Sequence, residues 1–137
     1  MILAICGSMV FTKEMLAVQN QLEKQGHQVF ISGFAKGYRG KSAEEIEKLT
    51  IRDKKENDAI LDHWEKIQKS DAILVLNYDR KGIKNYLGGN TLMELGFAYV
   101  LNKKIYLLNP VPEIEYYQSE IEAVRPMIIN GDLSKIS

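Results

Sequence analysis

An open α/β sheet of parallel strands is the fold class this chain predicts, and three observations carry it. Short apolar runs alternate with helical patterns in units of about thirty residues, the spacing of right-handed strand–helix–strand crossovers. Two of the runs, Ile2 to Cys6 and Ala72 to Leu76, are apolar at consecutive positions. Both faces of such strands must be covered, as at the centre of a parallel sheet. The length of 137 residues suits one domain, residues 1–137, able to bury roughly two-thirds of its unfolded surface.

The elements follow in order. Met1 to Cys6 is the first strand and ends at Gly7-Ser8. Met15, Leu16, Val18 and Leu22 recur at helical spacing up to Gln25-Gly26, where glycine supplies the stop. Gln28 to Ser32 is a second strand. Gly33 to Gly40 holds three glycines and two basic residues and reads as loop. Ser42-Ala43-Glu44-Glu45 is a capping-box start for a short helix. Asp53 to Lys69 reads as one longer helix with Ile60, Leu61, Trp64 and Ile67 as its apolar stripe. Asp71 to Leu76 is the strongest strand. A polar loop, Asn77 to Gly89, leads into an apolar helix ending near Asn102-Lys103. Lys104 to Leu108 is the fourth strand, closed by Asn109-Pro110. A short helix over Tyr116 to Val124 precedes Pro126 to Gly131, an edge strand or terminal extension.

Placing the two most apolar strands side by side at the centre gives a flavodoxin-like, Rossmann-like three-layer domain with strand order 2-1-3-4-5. Ligands of such sheets bind at the carboxyl ends of the strands, at the switch point between strands one and three. Gly7-Ser8 and the loop Asn77 to Gly89 converge there.

Eighteen acids balance eighteen bases, which removes any bulk electrostatic case for a nucleic-acid polymer or an anionic membrane. Cys6 is the only cysteine, so there is neither an internal disulfide nor a multi-cysteine metal cage. At the end of an apolar run it reads as a buried, inert thiol. The first residues lack a signal peptide's basic and long apolar regions. No apolar stretch approaches the ~18 residues of a membrane span. The expectation is a cytoplasmic protein.

The most site-like stretch is Asn85 to Tyr99. A glycine pair, Gly88-Gly89, and a capping Asn90 or Thr91 open an otherwise apolar helix that holds one acid, Glu94. Burying an unpaired carboxylate costs several kcal/mol, so its presence calls for a reason. Four residues after the cap it lies near the positive end of the helix, where the ionised form is favoured. Gly7-Ser8 reads either as a turn presenting amides and a hydroxyl to a ligand or as an ordinary strand-to-helix turn. In the loop Tyr78 to Lys84, Asp79 is a candidate for a ligand hydroxyl, and Arg80, Lys81 and Lys84 for a phosphate. The alternative there is a charged, mobile loop. Asp62 or His63 is a candidate proton donor or sugar ligand over the sheet edge, against the alternative of a solvated helix face. Two histidines, His27 and His63, and no cluster at ligand spacing predict no metal and no cofactor. Neither Ser8 nor Cys6 has a histidine and an acid near it in sequence, so no hydrolytic triad is expected.

Several pieces together resemble the nucleoside 2-deoxyribosyltransferase superfamily, which includes the deoxynucleoside 5′-monophosphate N-glycosidases. They are Ile5-Cys6-Gly7-Ser8, Ile67 to Val75, Gly89-Asn90-Thr91-Leu92-Met93-Glu94-Leu95-Gly96-Phe97-Ala98, and Lys103 to Leu108. The resemblance implies retaining cleavage of an N-glycosidic bond through a covalent glycosyl-glutamate at Glu94, with the sugar passed to water or to a second base. It places Asp62 or His63 at the family's upstream aspartate. It implies a small nucleoside or nucleotide partner held by Gly7, Ser8, Met9, Asp79, Gly88, Gly89, Asn90 and Thr91, and a homodimer completed by the neighbour's Glu115 to Arg125 segment. The exposed aromatics expected at that contact are Phe97, Tyr99, Tyr106, Tyr116 and Tyr117. The chain departs from the family in two places. Leu87, Gly88 and Gly89 stand where transferases often carry an acid, and Met9-Val10-Phe11 stands where the monophosphate hydrolases carry an arginine-bearing phosphate loop. A binding module that uses the same cleft without catalysis is the competing reading.

Overall fold

The computed structural model describes residues 1–137. Five strands, β1 (Ile2–Gly7), β2 (Gln28–Phe30), β3 (Ala72–Leu76), β4 (Lys104–Leu107) and β5 (Met127–Ile128), form one parallel sheet in the order 2-1-3-4-5. This is the expected flavodoxin-like arrangement. β1 and β3 pair from Leu3↔Ala72 to Gly7↔Leu76, so their carboxyl ends finish level with each other.

Strand side chains alternate between two cores. Leu3, Ile5, Leu74 and Leu76 pack with Met15 and Leu22 of helix α1 (Thr12–Lys24) and with the C-terminal residues Leu133 and Ile136. Ala4, Cys6, Ile73 and Val75 face the opposite layer, where Ile67 of α4 (Ala59–Gln68), Leu95 and Ala98 of α5 (Gly89–Val100) and Ile121 of α6 (Gln118–Ala123) cover them. Every residue of β3 is buried, which is why its sequence carries no polar alternation.

Between β2 and α4 the chain differs from the sequence expectation. Residues read as loop contain one helical turn, α2 (Ala35–Tyr38). The capping box is present, with Glu45 N–H donating to the Ser42 hydroxyl and Ser42 N–H to the Glu45 carboxylate, but it opens a fourteen-residue helix, α3 (Ala43–Glu56). The single helix expected over Asp53 to Lys69 is two. Asn57 caps α3 and turns its side-chain amide back onto the buried Asp53 at 2.7 Å, and Asp58 adopts φ +51°. Short polar side chains tolerate that left-handed conformation, and the chain turns there into α4.

Tyr106 belongs to the core at 3% exposure, and Phe97 and Tyr117 are half-buried against the core of the opposite face, contrary to their place among the exposed aromatics; Tyr99 and Tyr116 are exposed. No helix is long and apolar enough to cross a membrane.

Candidate active site

Cys6 is the next-to-last residue of β1 and points into the layer formed by α4 and α5. Those two helices bring His63 and Glu94 to the same point. Cys6 Sγ lies 3.6 Å from His63 Nε2, and His63 Nε2 lies 3.9 Å from Glu94 Oε2. All three residues are buried, Glu94 at 5% exposure. They line a pouch of about 40 Å³ with Asn90, Ser32, Met9 and Tyr38.

Gly7, Met9, Thr50, Lys54 and Asn90 also line an adjoining basin of about 230 Å³, so the pouch opens outward through it. Ser8, Gly88, Gly89 and Thr91 complete the predicted part of that lining, and Glu47, Arg80, Lys81 and Tyr86 are added to it. Gly7 is required by geometry: its φ is +150°, and a β-carbon there would stand 3.0 Å from the Leu76 carbonyl oxygen of β3. At Gly89 a β-carbon would meet nothing within 4 Å, which leaves the start of α5 open to the basin.

The cap of α5 differs from expectation. Gly88 is the N-cap, no side chain accepts a hydrogen bond from the first amides, and Asn90 and Thr91 lie inside the first turn. Glu94 is therefore six residues past the cap, beyond the reach of the helix end's favourable field. Burial decides its charge state instead and pushes its pKa up, while the neighbouring His63 first and Cys6 second pull it back part of the way. Cys6 is raised well above its ordinary value by burial first and by the Glu94 carboxylate second.

The loop after β3 is built rather than loose. Asn77, fully buried, bonds the backbone of Asn109 and the carbonyl of Pro110, which ties the end of β3 to the end of β4. Arg80 and Ile83 then exchange both backbone hydrogen bonds around Lys81 (φ +54°) and Gly82 (φ +73°), a two-residue hairpin turn with both central residues left-handed. The hairpin carries Arg80 over the basin. Its guanidinium donates to Ser8 Oγ at 2.6 Å, lies 3.7 Å from Glu47 and stacks on Tyr86 at 5.8 Å. Lys81 reaches Glu47 at 3.2 Å. Three cations against one carboxylate leave the basin a surplus of two positive charges.

Of the residues expected to contact a ligand, Gly7, Ser8, Met9, Gly88, Gly89, Asn90 and Thr91 line the basin. Asp79 does not: its carboxylate accepts from Asn85 N–H at 2.8 Å and closes the hairpin. Asp62 is half-buried beside Gly33 and paired with Lys66 at 2.6 Å, whereas its neighbour His63 faces Glu94. One buried polar atom at the junction of basin and pouch, Asn90 Oδ1, has no partner, and neither has His63 Nδ1. Spacing along the chain does not reveal the Cys6–His63–Glu94 set, because its members come from three elements that only the sheet order brings together.

The fold is similar to that of the CMP N-glycosidase BcmB of Clostridium botulinum, at 18% identity and a TM-score of 0.51 over 95% of this chain and 90% of that one. The likeness is one of architecture, an α/β domain of the flavodoxin-like kind. No protein-family model and no curated protein matches the chain.

Proposed function

We propose that the chain cleaves the N-glycosidic bond of a nucleoside 5′-monophosphate, with Glu94 as nucleophile. The observation that carries the reading is a buried carboxylate beside an imidazole, in a pouch that adjoins a basic basin at the carboxyl edge of the sheet. The likeness of fold to a CMP N-glycosidase supports the same reaction class by analogy of architecture.

In the first step a Glu94 oxygen forms a bond to the anomeric carbon while the bond from that carbon to the base breaks. The electron pair leaves with the base nitrogen, which takes a proton from His63. In the second step water attacks the anomeric carbon, gives its proton to His63 and releases the Glu94 carboxylate. His63, not Asp62, takes the acid–base role because it faces Glu94. Asn90 Oδ1 is free to accept from a sugar hydroxyl. Arg80, Lys81, Lys54 and the uncapped start of α5 receive the phosphate. A second base in place of water makes the same chemistry a transfer.

Self-association belongs to the same reading. Tyr99, Val100, Tyr116, Met127 and Ile128 are exposed on one chain. Sedimentation at roughly tens of micromolar should give a dimer, and a monomer there removes this part.

The test is incubation with a panel of nucleosides, deoxynucleosides and their 5′-monophosphates, with chromatography for released base and mass spectrometry for a sugar adduct on Glu94. Base release that persists in Glu94→Gln refutes the nucleophile. Saturable binding without turnover favours the non-catalytic module, for which the departure at Leu87-Gly88-Gly89 speaks.

A further inference from the structure

We infer that Cys6, His63 and Glu94 form a binding site for a thiophilic divalent cation of the zinc type, with a fourth position open toward Asn90 and the basin. Three independent elements, β1, α4 and α5, each direct one donor into the same pouch, and all three donor atoms lie within 4.8 Å of one another. Tetrahedral zinc with ordinary bond lengths to sulfur, nitrogen and oxygen places its donors roughly 3.3–3.6 Å apart. The separations of 3.6 Å from Sγ to Nε2 and 3.9 Å from Nε2 to Oε2, with every pair inside 4.8 Å, meet that geometry once side-chain rotation draws the donors together. The pouch holds about 40 Å³, room for an ion and a bound water, and the basin gives an entry path.

Charge points the same way. Sulfur and carboxylate are both buried, and no arginine or lysine forms an ion pair with Glu94. A divalent cation bound to a thiolate, a carboxylate and a neutral imidazole makes the set neutral overall, and binding displaces the thiol proton to solvent. His63 is more than nine-tenths buried, has no partner at Nδ1 and makes only long contacts at Nε2, so its donor capacity is not spent elsewhere. A set of one thiolate, one imidazole and one carboxylate selects zinc, cobalt or copper over magnesium and calcium. Lys54, the one ammonium lining the pouch, is partly exposed and forms no ion pair, so it can turn into the basin.

The site shares Glu94 and His63 with the proposed glycosidic cleavage, and a cation there withdraws both from it. Binding is therefore read without substrate. Metal-free protein is titrated with Co²⁺ and followed by absorbance. The expected result is one equivalent producing a near-ultraviolet thiolate-to-cobalt band with visible bands of tetrahedral intensity, both abolished by Zn²⁺. Cys6→Ser should lose the charge-transfer band. His63→Gln and Glu94→Gln should each weaken binding by more than the roughly 10–100-fold that loss of a supporting hydrogen bond costs. Circular dichroism checks that each variant is folded. Because a core change at Cys6 can disturb packing, slower alkylation of the wild-type thiol by a small reagent when Zn²⁺ is present, but not when Mg²⁺ is, gives a second expected result. No charge-transfer band with folded wild-type protein, a band surviving Cys6→Ser, or alkylation unaffected by Zn²⁺ overturns the assignment. A failure to release base from any nucleotide does not touch it.

Discussion

Replacing Glu94 by glutamine should move stability and activity in opposite directions, and both magnitudes follow from where the carboxylate sits. Glu94 is 5% exposed, and its only ion-pair partner is His63 at 3.9 Å. At that distance a protonated imidazole returns about 4 kcal/mol at an effective dielectric of 20, against a desolvation penalty of several kcal/mol for the buried ion. Burial prevails, and the pKa stands above the ordinary value of 4.5. The folded state thus holds the proton more tightly than the unfolded state. Ionisation costs no folding energy below the unfolded pKa, then removes stability as pH climbs from there to the folded pKa, and the loss is complete above it. Each unit of upward shift is worth about 1.4 kcal/mol. Glutamine has the same shape and no charge, so Glu94→Gln should melt above the parent at about pH 7.5, by roughly 4 °C for each kcal/mol recovered in a domain of this size. The gap should close as pH falls toward 4.5. Over the same change kcat for base release should drop on the order of 10⁴-fold. Scanning calorimetry at the two pH values and chromatographic rate measurements read the two effects. A variant that melts lower than the parent near neutral pH refutes the electrostatic reasoning, since the carboxylate would then be a net stabiliser.

Three further outcomes are expected. The acid limb of kcat against pH should rise through a pKa above 4.5, because on the proposed mechanism the raised Glu94 must lose its proton to attack; a limb at or below 4.5 contradicts this. Arg80→Ala should raise KM for a 5′-monophosphate about 10-fold while leaving the free nucleoside nearly unchanged, since the guanidinium reaches the basin but not the pouch; initial-rate kinetics on the two substrates decide. Asp53→Ala should cost roughly 2–4 kcal/mol in urea unfolding, because Tyr38, Asn57 and Arg52 all lose their acceptor. Burial pushes the Asp53 carboxyl up, but those hydrogen bonds outweigh it and hold it below 3.8, so the cost should be full above that pH and shrink as acid protonates the parent.

The sheet could be read from the chain because its central strands are buried on both faces, and an apolar run such as Ala72 to Leu76 has few other homes. The break between α3 and α4 could not, because Asp53 to Asp58 is polar throughout and carries neither a glycine nor a proline to mark a stop before the apolar stripe from Ile60. What ends α3 is a tertiary arrangement: Tyr38, on the preceding helical turn α2, packs its hydroxyl onto Asp53, and Asn57 folds back to the same carboxylate. That break also sets the rotation of α4, and one residue is about 100° of helix, which is why Asp62 and His63 are indistinguishable in sequence and meet different partners in space. Glu94 was legible because an acid alone in an apolar helix is costly without a purpose. Its supposed cap was misplaced because Asn90 and Thr91 are good caps, yet Gly88 precedes them with the extended backbone a cap needs. The hairpin bearing Arg80 was hidden because Lys81-Gly82 is a weak hairpin signal beside Asn-Gly or Asp-Gly.

The separation of charge between basin and pouch bears on how such a site gains rate. Arg80 and Lys81 are held outside, on Glu47, Ser8 and Tyr86, by a hairpin that Asn77 anchors to the neighbouring strand. Were either of them in contact with Glu94, the carboxylate would be stabilised in the ground state, and its attack on carbon would have to give that stabilisation up. An imidazole at 3.9 Å is a weaker partner, and one whose charge changes as it transfers a proton. Cations that bind the phosphate are unchanged through the reaction and contribute affinity. Lys54 lines the pouch without forming an ion pair with Glu94. On the proposed mechanism His63, the group paired with Glu94, is the one whose interaction with it changes as the glycosidic bond breaks, and only such changes accelerate the chemical step. Moving a fixed positive charge inward, as in Asn90→Lys, should on this reasoning lower the pKa of Glu94 and slow catalysis even where substrate affinity rises; a faster enzyme with unchanged pH dependence would show that the division of charge is incidental.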